Sequence, residues 1–409
     1  MRATLALGVA CTLYTLGAGA ASRPRDATPE PSALAFTEGR AGVSLDGAWH
    51  VIVDPYDNGS LDYRSQPRPH GYFEDARPRD RSDLVEYDFA RSPTLQVPGD
   101  WNTQRADLLY YEGIIWYERR FDAALRPGHR AFVQFGAAAQ RATVWVNGKR
   151  LGEHEGGFTP FAFEVTSVVR PRDNSIVVKV DNARRADALP ALNTDWWNYG
   201  GLTRGVRLVE TPRVFVRDAV VQLAKENASV VRASVRLDGA RGPVKVTVEI
   251  PEVHAGYTTM TDDRGSARFD FGATLTAWSP EAPRLYDVVI RTGDDRVQDR
   301  VGFRTVATRG PDILLNGKPI FLRGVALHEE ALGRGGRATT RAQAEELLTL
   351  AKDMGCNFVR LAHYPHGDEM TRAADRLGLL VWSEIPVYWT IAWSNAGTLA
   401  TVRDRKSVV

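Results

Sequence analysis

The chain has 409 residues, 43% of them hydrophobic and 25% charged, the composition of an ordinary globular protein with length for about two to four domains. Its 52 basic and 50 acidic residues leave a net charge of +2, which gives no reason to propose nucleic acid or an anionic membrane as a partner. Ten Trp and 13 Tyr suit either sugar-stacking platforms or the core of a β-rich protein, and the core reading is the plainer one.

In chain order, residues 1–20 read as a signal peptide. Arg2 supplies a short positive region, "LALGVACTLYTLGAGA" an apolar core, and Ala18 to Ala20 a cleavage site before Ala21. The run is too short and too rich in Gly and Ala for a membrane span. The expectation is an exported chain, periplasmic or extracellular. Cleavage removes Cys11 and leaves Cys356, a lone thiol that reads as a core residue. Residues 21–39, which include the Pro- and Ser-rich "SRPRDATPEPS", read as a linker.

From about Leu45 the pattern turns to β. "RAFVQF", "RATVWVNGKRL" and "NSIVVKVDN" alternate as half-buried strands do, and Asn147-Gly148 is a two-residue hairpin turn in which both residues need positive φ. These strands predict a jelly-roll-like β-sandwich over 40–211. "VVRASVRLDG", "VKVTVEI", "ARFDFG", "LYDVVIRTG" and "DRVQDRVGFRTV" predict an immunoglobulin-like sandwich over 212–307.

The character changes at "DILLNGKPIFLRGVALHEE". A short hairpin leads to a strand ending near Leu327. A helix follows, with Thr340 and Gln343 as a capping box and Ala344, Leu347, Leu348 and Ala351 on one face. "CNFVRLA" is the next strand. Met370, Ala373, Ala374 and Leu377 mark a second helix stopped by Gly378, and "LLVWSEI" is a third strand. Strand, helix, strand, helix, strand means a parallel sheet over 308–403.

Several segments resemble signatures of glycoside hydrolase family 2, which includes β-glucuronidases, β-galactosidases and β-mannosidases. They are "SLDGAWHVIVDPYDNG", "VPGDWNTQ", "YYEGIIWYERRF", "VWVNGKRLGEHEGGFTPFAFEV", "NTDWWNYGGLTR", "LNGKPIFLRGVALHEE", "CNFVRLAHYPH" and "GLLVWSEIPVYW". The resemblance implies a jelly roll, an immunoglobulin-like β-sandwich and a (β/α)₈ TIM barrel, here an incomplete one. It also implies a terminal β-linked sugar as substrate, and it leaves room for a homo-oligomer of the full-length enzyme. Members of the family retain configuration, which takes two carboxyls about 5–5.5 Å apart.

In such a barrel the chemistry sits at the C-terminal ends of the strands. Arg360 and His363 stand at one such end. The resemblance implies that they bind substrate and bias a carboxylate; read without it, they form a polar network closing the barrel mouth. Glu384, taken alone, is a candidate acid, whereas the resemblance makes it a supporting acidic residue. His328 and Glu329 could line the pocket; Glu329–Glu330 make a poor dyad, because neighbours on a strand face opposite ways. Asp195 either reaches the barrel mouth or caps a turn, with Trp196 and Trp197 packing at a domain interface. Trp389, Trp393 and Trp382 offer stacking faces, although Trp382 reads as core. His366 reads as a loop or helix-start residue. No cofactor is expected. No metal site is expected either, since His363 and His366 lack ligand partners.

The family's acid/base lies in a Trp-(any)-(any)-Asn-Glu motif, and no Asn-Glu pair follows Arg309. A whole barrel takes about 250 residues. The expectation is therefore a fragment carrying neither catalytic carboxylate and showing no turnover, with 404–409, "DRKSVV", as a non-native tail. The alternative is a non-catalytic carbohydrate-binding protein built on the two β-domains.

Overall fold

Period-two alternation dictates the strands described between Gly42 and Val301. The computed structural model describes residues 33–61, 64–68, 71–73, 87–333 and 335–408; the predicted signal 1–20 and the spacer 22–32 lie outside these. The chain's first β-region is built from two antiparallel sheets. One has four strands in the order Gly42–Ser44, Val206–Thr211, Arg130–Phe135, Phe161–Glu164. The other has six, in the order Thr94–Val97, Gly47–Val53, Ile114–Phe121, Asn174–Asp181, Arg141–Val146, Lys149–Glu155. Trp49, Tyr117, Val144 and Val178 from the six-stranded sheet share one core with Val133, Phe161 and Leu208 from the other.

The predicted turn forms as its residues require, with Asn147 at φ 50° and Gly148 at φ 80°. Burial differs from the half-buried expectation. Trp116, Trp145 and Val177 point to the far face of the six-stranded sheet, where Phe73 and Phe89 cover them in a second cluster. The far face is thus dry as well, which alternation alone does not reveal. The described end of the linker stretch is also packed: Leu34 is buried against Phe132, Val209 and Phe215.

The second β-region pairs a three-stranded sheet with a four-stranded one. Val231, Val235 and Phe271 from the first meet Val248, Tyr286 and Ile290 from the second in a common core. A buried ion pair ties this region to the segment before the first strand. Arg40 Nη1 donates to Asp295 Oδ1 at 2.7 Å, and Asp295 Oδ2 accepts from the Val216 backbone at 2.8 Å.

Beyond the hairpin near Asn316, the strands Gly324–Leu327, Phe358–Leu361 and Leu380–Ser383 pair in parallel. The helices Arg341–Asp353 and Asp368–Leu377 connect them. Thr340 and Gln343 form the reciprocal capping box, and Gly378 closes the second helix at φ 75°. Val359 and Leu361 pack under Leu347, Leu348, Ala373 and Ala374. Residues between them on the middle strand face the other way: Arg360 lies beside Trp382. Trp382 is consequently 59% exposed, which corrects its reading as core. A further helix spans Ala396–Val408. The second β-region docks on the helix Asp368–Leu377, where Trp278 Nε1 donates to the Asp375 carbonyl at 2.9 Å. No helix among the described residues is long and apolar enough to cross a membrane.

Both Arg40 and Asp295 are about 4% exposed, so removing one partner strands a buried charge. Asp295→Ala is expected to cost about 3–5 kcal/mol, measured by denaturant unfolding; a change under about 1 kcal/mol would contradict the role assigned to the pair.

Candidate active site

Three chain segments converge at the C-terminal ends of the parallel strands. His328 follows the first strand, His363 the second and Glu384 the third. Arg360, near the end of the second strand, clasps Glu384 with both nitrogens, Nε to Oε1 at 2.6 Å and Nη2 to Oε2 at 3.1 Å. His363 Nδ1 lies 3.1 Å from Glu384 Oε2 and 3.1 Å from Arg360 Nη2. Burial lifts the Glu384 carboxyl, but hydrogen bonds from Arg360 and His363 outweigh that and hold it below its usual range. Glu384 is therefore an anion at neutral pH and a poor proton donor.

Asp195 comes from the first β-region. Its Oδ2 accepts from Tyr388 Oη at 2.7 Å, and its Oδ1 stands 4.0 Å from His363 Nε2. Of its two readings from sequence, the structure brings it to the strand ends. The loop that delivers it is anchored on the first sandwich. Asn182 and Asn198 exchange side-chain-to-carbonyl hydrogen bonds at 3.0 and 2.9 Å, and Asn102 Oδ1 accepts from the Gly200 backbone at 2.9 Å. Gly200 has to be glycine: a Cβ there would lie 2.0 Å from the Trp101 ring.

Trp196, beside Asp195, is a buried wedge. Its ring meets Tyr364, Tyr388 and His363 at centroid distances of 5.4, 5.3 and 5.8 Å. His328 Nδ1 lies 3.4 Å from Tyr364 Oη. Burial keeps the His328 imidazole below its usual range, hence neutral. Trp389 stacks on Tyr388 at 5.2 Å and is 65% exposed, so it forms an outer step and not part of the inner cluster.

Asp195, His328 and His363 gather so closely that their ligand atoms all lie within 4.8 Å of one another. Sequence spacing hides this set, because its members come from three distant segments. Tyr388 was also missed; its place between "SEIP" and Trp389 was the only signal. Most of all, sequence reading missed what lies behind the site. Glu329 is buried and held by Arg337 and by Arg204, whose Nη2 donates to Oε2 at 2.9 Å. Arg337 also lies over the Tyr364 ring at 4.6 Å. Burial pushes the Glu329 carboxyl up, but Arg204 and Arg337, with His366, pull it down to about 2. Glu329 thus belongs to this latch. His366 stands at the start of the helix Asp368–Leu377, as read, yet it is buried, stacked on Tyr364 at 5.3 Å, and pushed by burial down to about 4. Arg204, Glu329 and His366 also border a groove of about 580 Å³, which Asp195, His328 and His363 do not line.

Residues 43–212 match the family model described as "Glycosyl hydrolases family 2, sugar binding domain", and residues 306–406 match "Glycosyl hydrolases family 2, TIM barrel domain". Among curated relatives, a β-glucuronidase of Paenibacillus borealis is 28% identical over 372 residues, 84% of this chain and 58% of the relative. A β-galactosidase of Thermoanaerobacter pseudethanolicus is 28% identical over 349 residues, 78% of this chain and 46% of the relative. The chain thus spans about half the length of these relatives. Among solved structures, the Ruminococcus gnavus β-glucuronidase in complex with D-glucaro-d-lactam superposes with a TM-score of 0.75 at 25% identity, covering 93% of this chain and 65% of that one. The Bifidobacterium dentium β-glucuronidase complexed with coumarin-3-O-glucuronide gives the same TM-score of 0.75 at 24% identity, over 92% and 66% of the two chains.

The buried latch makes stability acid-sensitive. His366 binds a proton in the unfolded chain below its ordinary 6.5 but in the folded chain only below about 4, so its contribution is present above 6.5 and is lost as pH falls toward 4. Glu329, with an ordinary value of 4.5 and a folded value of about 2, adds a second loss lower down. Unfolding free energy measured against pH should decline below 6.5, and His366→Gln should flatten the decline between 6.5 and 4. A flat wild-type profile from pH 7 to 4 would contradict this.

Proposed function

Because this chain belongs to glycosyl hydrolase family 2, we propose that it forms one wall of the sugar site of an exported retaining exo-glycosidase. The enzyme acts on terminal β-linked sugars, of β-glucuronidase or β-galactosidase type. In this reading residues 40–211 are a jelly-roll sugar-binding domain, 212–307 an immunoglobulin-like sandwich and 308–403 the N-terminal part of the barrel. The paired sheets with shared cores and the parallel strands joined by helices support that division.

The observation that carries the proposal is the meeting of Asp195 with His363 at a parallel strand end. The first β-region reaches across to the sheet and presents a carboxylate 4.0 Å from an imidazole, beside the aromatic ring of Tyr388. A sugar hydroxyl placed between such groups accepts from one and donates to the other. Trp389, exposed on Tyr388, offers a ring face to the sugar or to what it is attached to.

The site's own carboxyls do not make an acid and nucleophile pair. Glu384 is an anion clasped by Arg360, and Glu329 is locked between two arginines. The wall binds and orients; bond cleavage needs two other carboxyls. Chromogenic β-glucuronide, β-galactoside and β-mannoside should therefore give no turnover with the purified 409-residue chain, while glucuronate- or galactose-derived ligands bind in calorimetry. Asp195→Asn and Arg360→Ala should each weaken that binding about 10-fold or more. Binding of no sugar, or binding indifferent to Asp195→Asn, would overturn the wall; robust turnover would overturn the claim of inactivity.

A further inference from the structure

Two loops of the first β-region carry exposed rings that meet. Tyr110 is 81% exposed and Trp197 40%, and their rings lie 5.5 Å apart between centroids with 46° between the planes. Backbone anchors hold them there, since neither ring belongs to the buried core. Asn102, 2% exposed, is the common anchor. Its Nδ2 reaches the carbonyl oxygens of Leu108, Leu109 and Tyr111 at 3.0, 3.2 and 3.3 Å, and its Oδ1 accepts from the Gly200 backbone at 2.9 Å. Tyr110 is thus pinned on both sides, and Asn182 pins Asn198, the residue after Trp197. Arg184 adds a third tie: it pairs with Glu112 at 2.9 Å and donates to the Leu192 carbonyl at 3.3 Å. The geometry of the ring pair is therefore set before any ligand arrives, which lowers the ordering cost of binding.

Trp197 follows Asp195 by two residues, so their Cα atoms are at most about 7 Å apart. The ring pair therefore borders the wall assigned to the terminal sugar. Tyr and Trp turn a negative π face outward, and the C–H bonds on one side of a sugar ring rest on such a face. The tilt between the rings makes two facets, which suits successive sugars turned relative to one another along a chain. Glu112 and Arg184 are 37% and 36% exposed, and their pair offers hydroxyls an acceptor and a donor. Two such rings present at most about 500 Å², short of the roughly 800 Å² per partner of a stable contact between copies. We propose that Tyr110 and Trp197 form an outer subsite for the sugars behind the terminal one, so that the ligand is a β-linked oligosaccharide and not a small aryl glycoside. The inference rests on the sugar reading of the wall, and the two fail separately in the test.

The test is calorimetric titration of the full 409-residue chain with glucuronate and galactose, and with tetrasaccharides ending in β-glucuronate or β-galactose. The matching tetrasaccharide should bind at least about 10-fold more tightly than its terminal sugar alone. Tyr110→Ala and Trp197→Ala should each weaken tetrasaccharide binding by about 3–10-fold and leave monosaccharide binding unchanged. Tyr110→Phe, which keeps the ring, should bind as the wild type does. Tyr56→Ala removes a tyrosine that is also 81% exposed and should change nothing. If circular dichroism shows that Trp197→Ala, beside the Trp196 wedge, does not fold, Tyr110→Ala decides alone. If the monosaccharide binds and the tetrasaccharide binds no tighter, or binds Tyr110→Ala equally well, the inference is overturned and the wall stands. If neither binds, both fall. Tetrasaccharide binding that needs Tyr110, without monosaccharide binding, supports the subsite and removes the wall. A dimer in sedimentation that Tyr110→Ala dissolves overturns the inference, the rings then being a contact between copies.

Discussion

One buried carboxylate, Glu329, couples the first β-region to the parallel sheet. It follows the first parallel strand, is 3% exposed, and accepts from Arg204 of the first region and from Arg337 of its own. Burying a carboxylate alone costs several kcal/mol, and only a fully hydrogen-bonded charge partner offsets that. Two arginines and the Gly367 backbone amide supply it. The latch has consequences outside itself. Arg204 also donates to the carbonyls of Phe158 and Pro365 at 2.8 Å each, so the same guanidinium fixes the stretch that carries His363. Arg337 lies over Tyr364 and Phe158, whose rings stack at 4.2 Å. Tyr364 then sets His328 on one side and His366 on the other.

The candidate site is therefore a property of docking, since neither region holds the set alone. The parallel strands deliver two imidazoles, an arginine and Glu384; the first sandwich delivers Asp195 and the Trp196 wedge. The charges are arranged in order of exposure. Glu329 is dry and fully paired, Glu384 is partly covered and clasped by Arg360, and Asp195 is open. Electrostatic interactions weaken as solvent access grows. The innermost pair accordingly serves structure, and the outermost carboxylate is the one able to meet a ligand.

Features encoded by local rules were legible in the sequence. Asn147-Gly148, the Thr340–Gln343 box and the Gly378 stop each depend on a few adjacent residues, and each forms as read. The stripe Ala344, Leu347, Leu348, Ala351 was legible because helical period and burial agree. Features set by distant partners were not. Trp382 looks like core because large aromatics usually are, but its face of the sheet is decided by its register opposite Arg360. The second dry face of the six-stranded sheet depends on Phe73 and Phe89 arriving from loops. Glu329 reads like its neighbour Glu330 until Arg204, 125 residues earlier, is placed beside it. Asp195 had two readings because its loop has no period, and only the anchors at Asn102, Asn182 and Asn198 choose between them.

The spacing of the central set also bears on what it can hold. A hydroxyl oxygen making two hydrogen bonds of about 2.8 Å at a tetrahedral angle needs partners about 4.6 Å apart. The separation of 4.0 Å between Asp195 and His363, and the limit of 4.8 Å across the set, suit that demand with little movement. The resting geometry thus suits an uncharged oxygen. Tyr388 Oη donates to Asp195 Oδ2 at 2.7 Å, which helps to fix that carboxylate at hydroxyl spacing from His363.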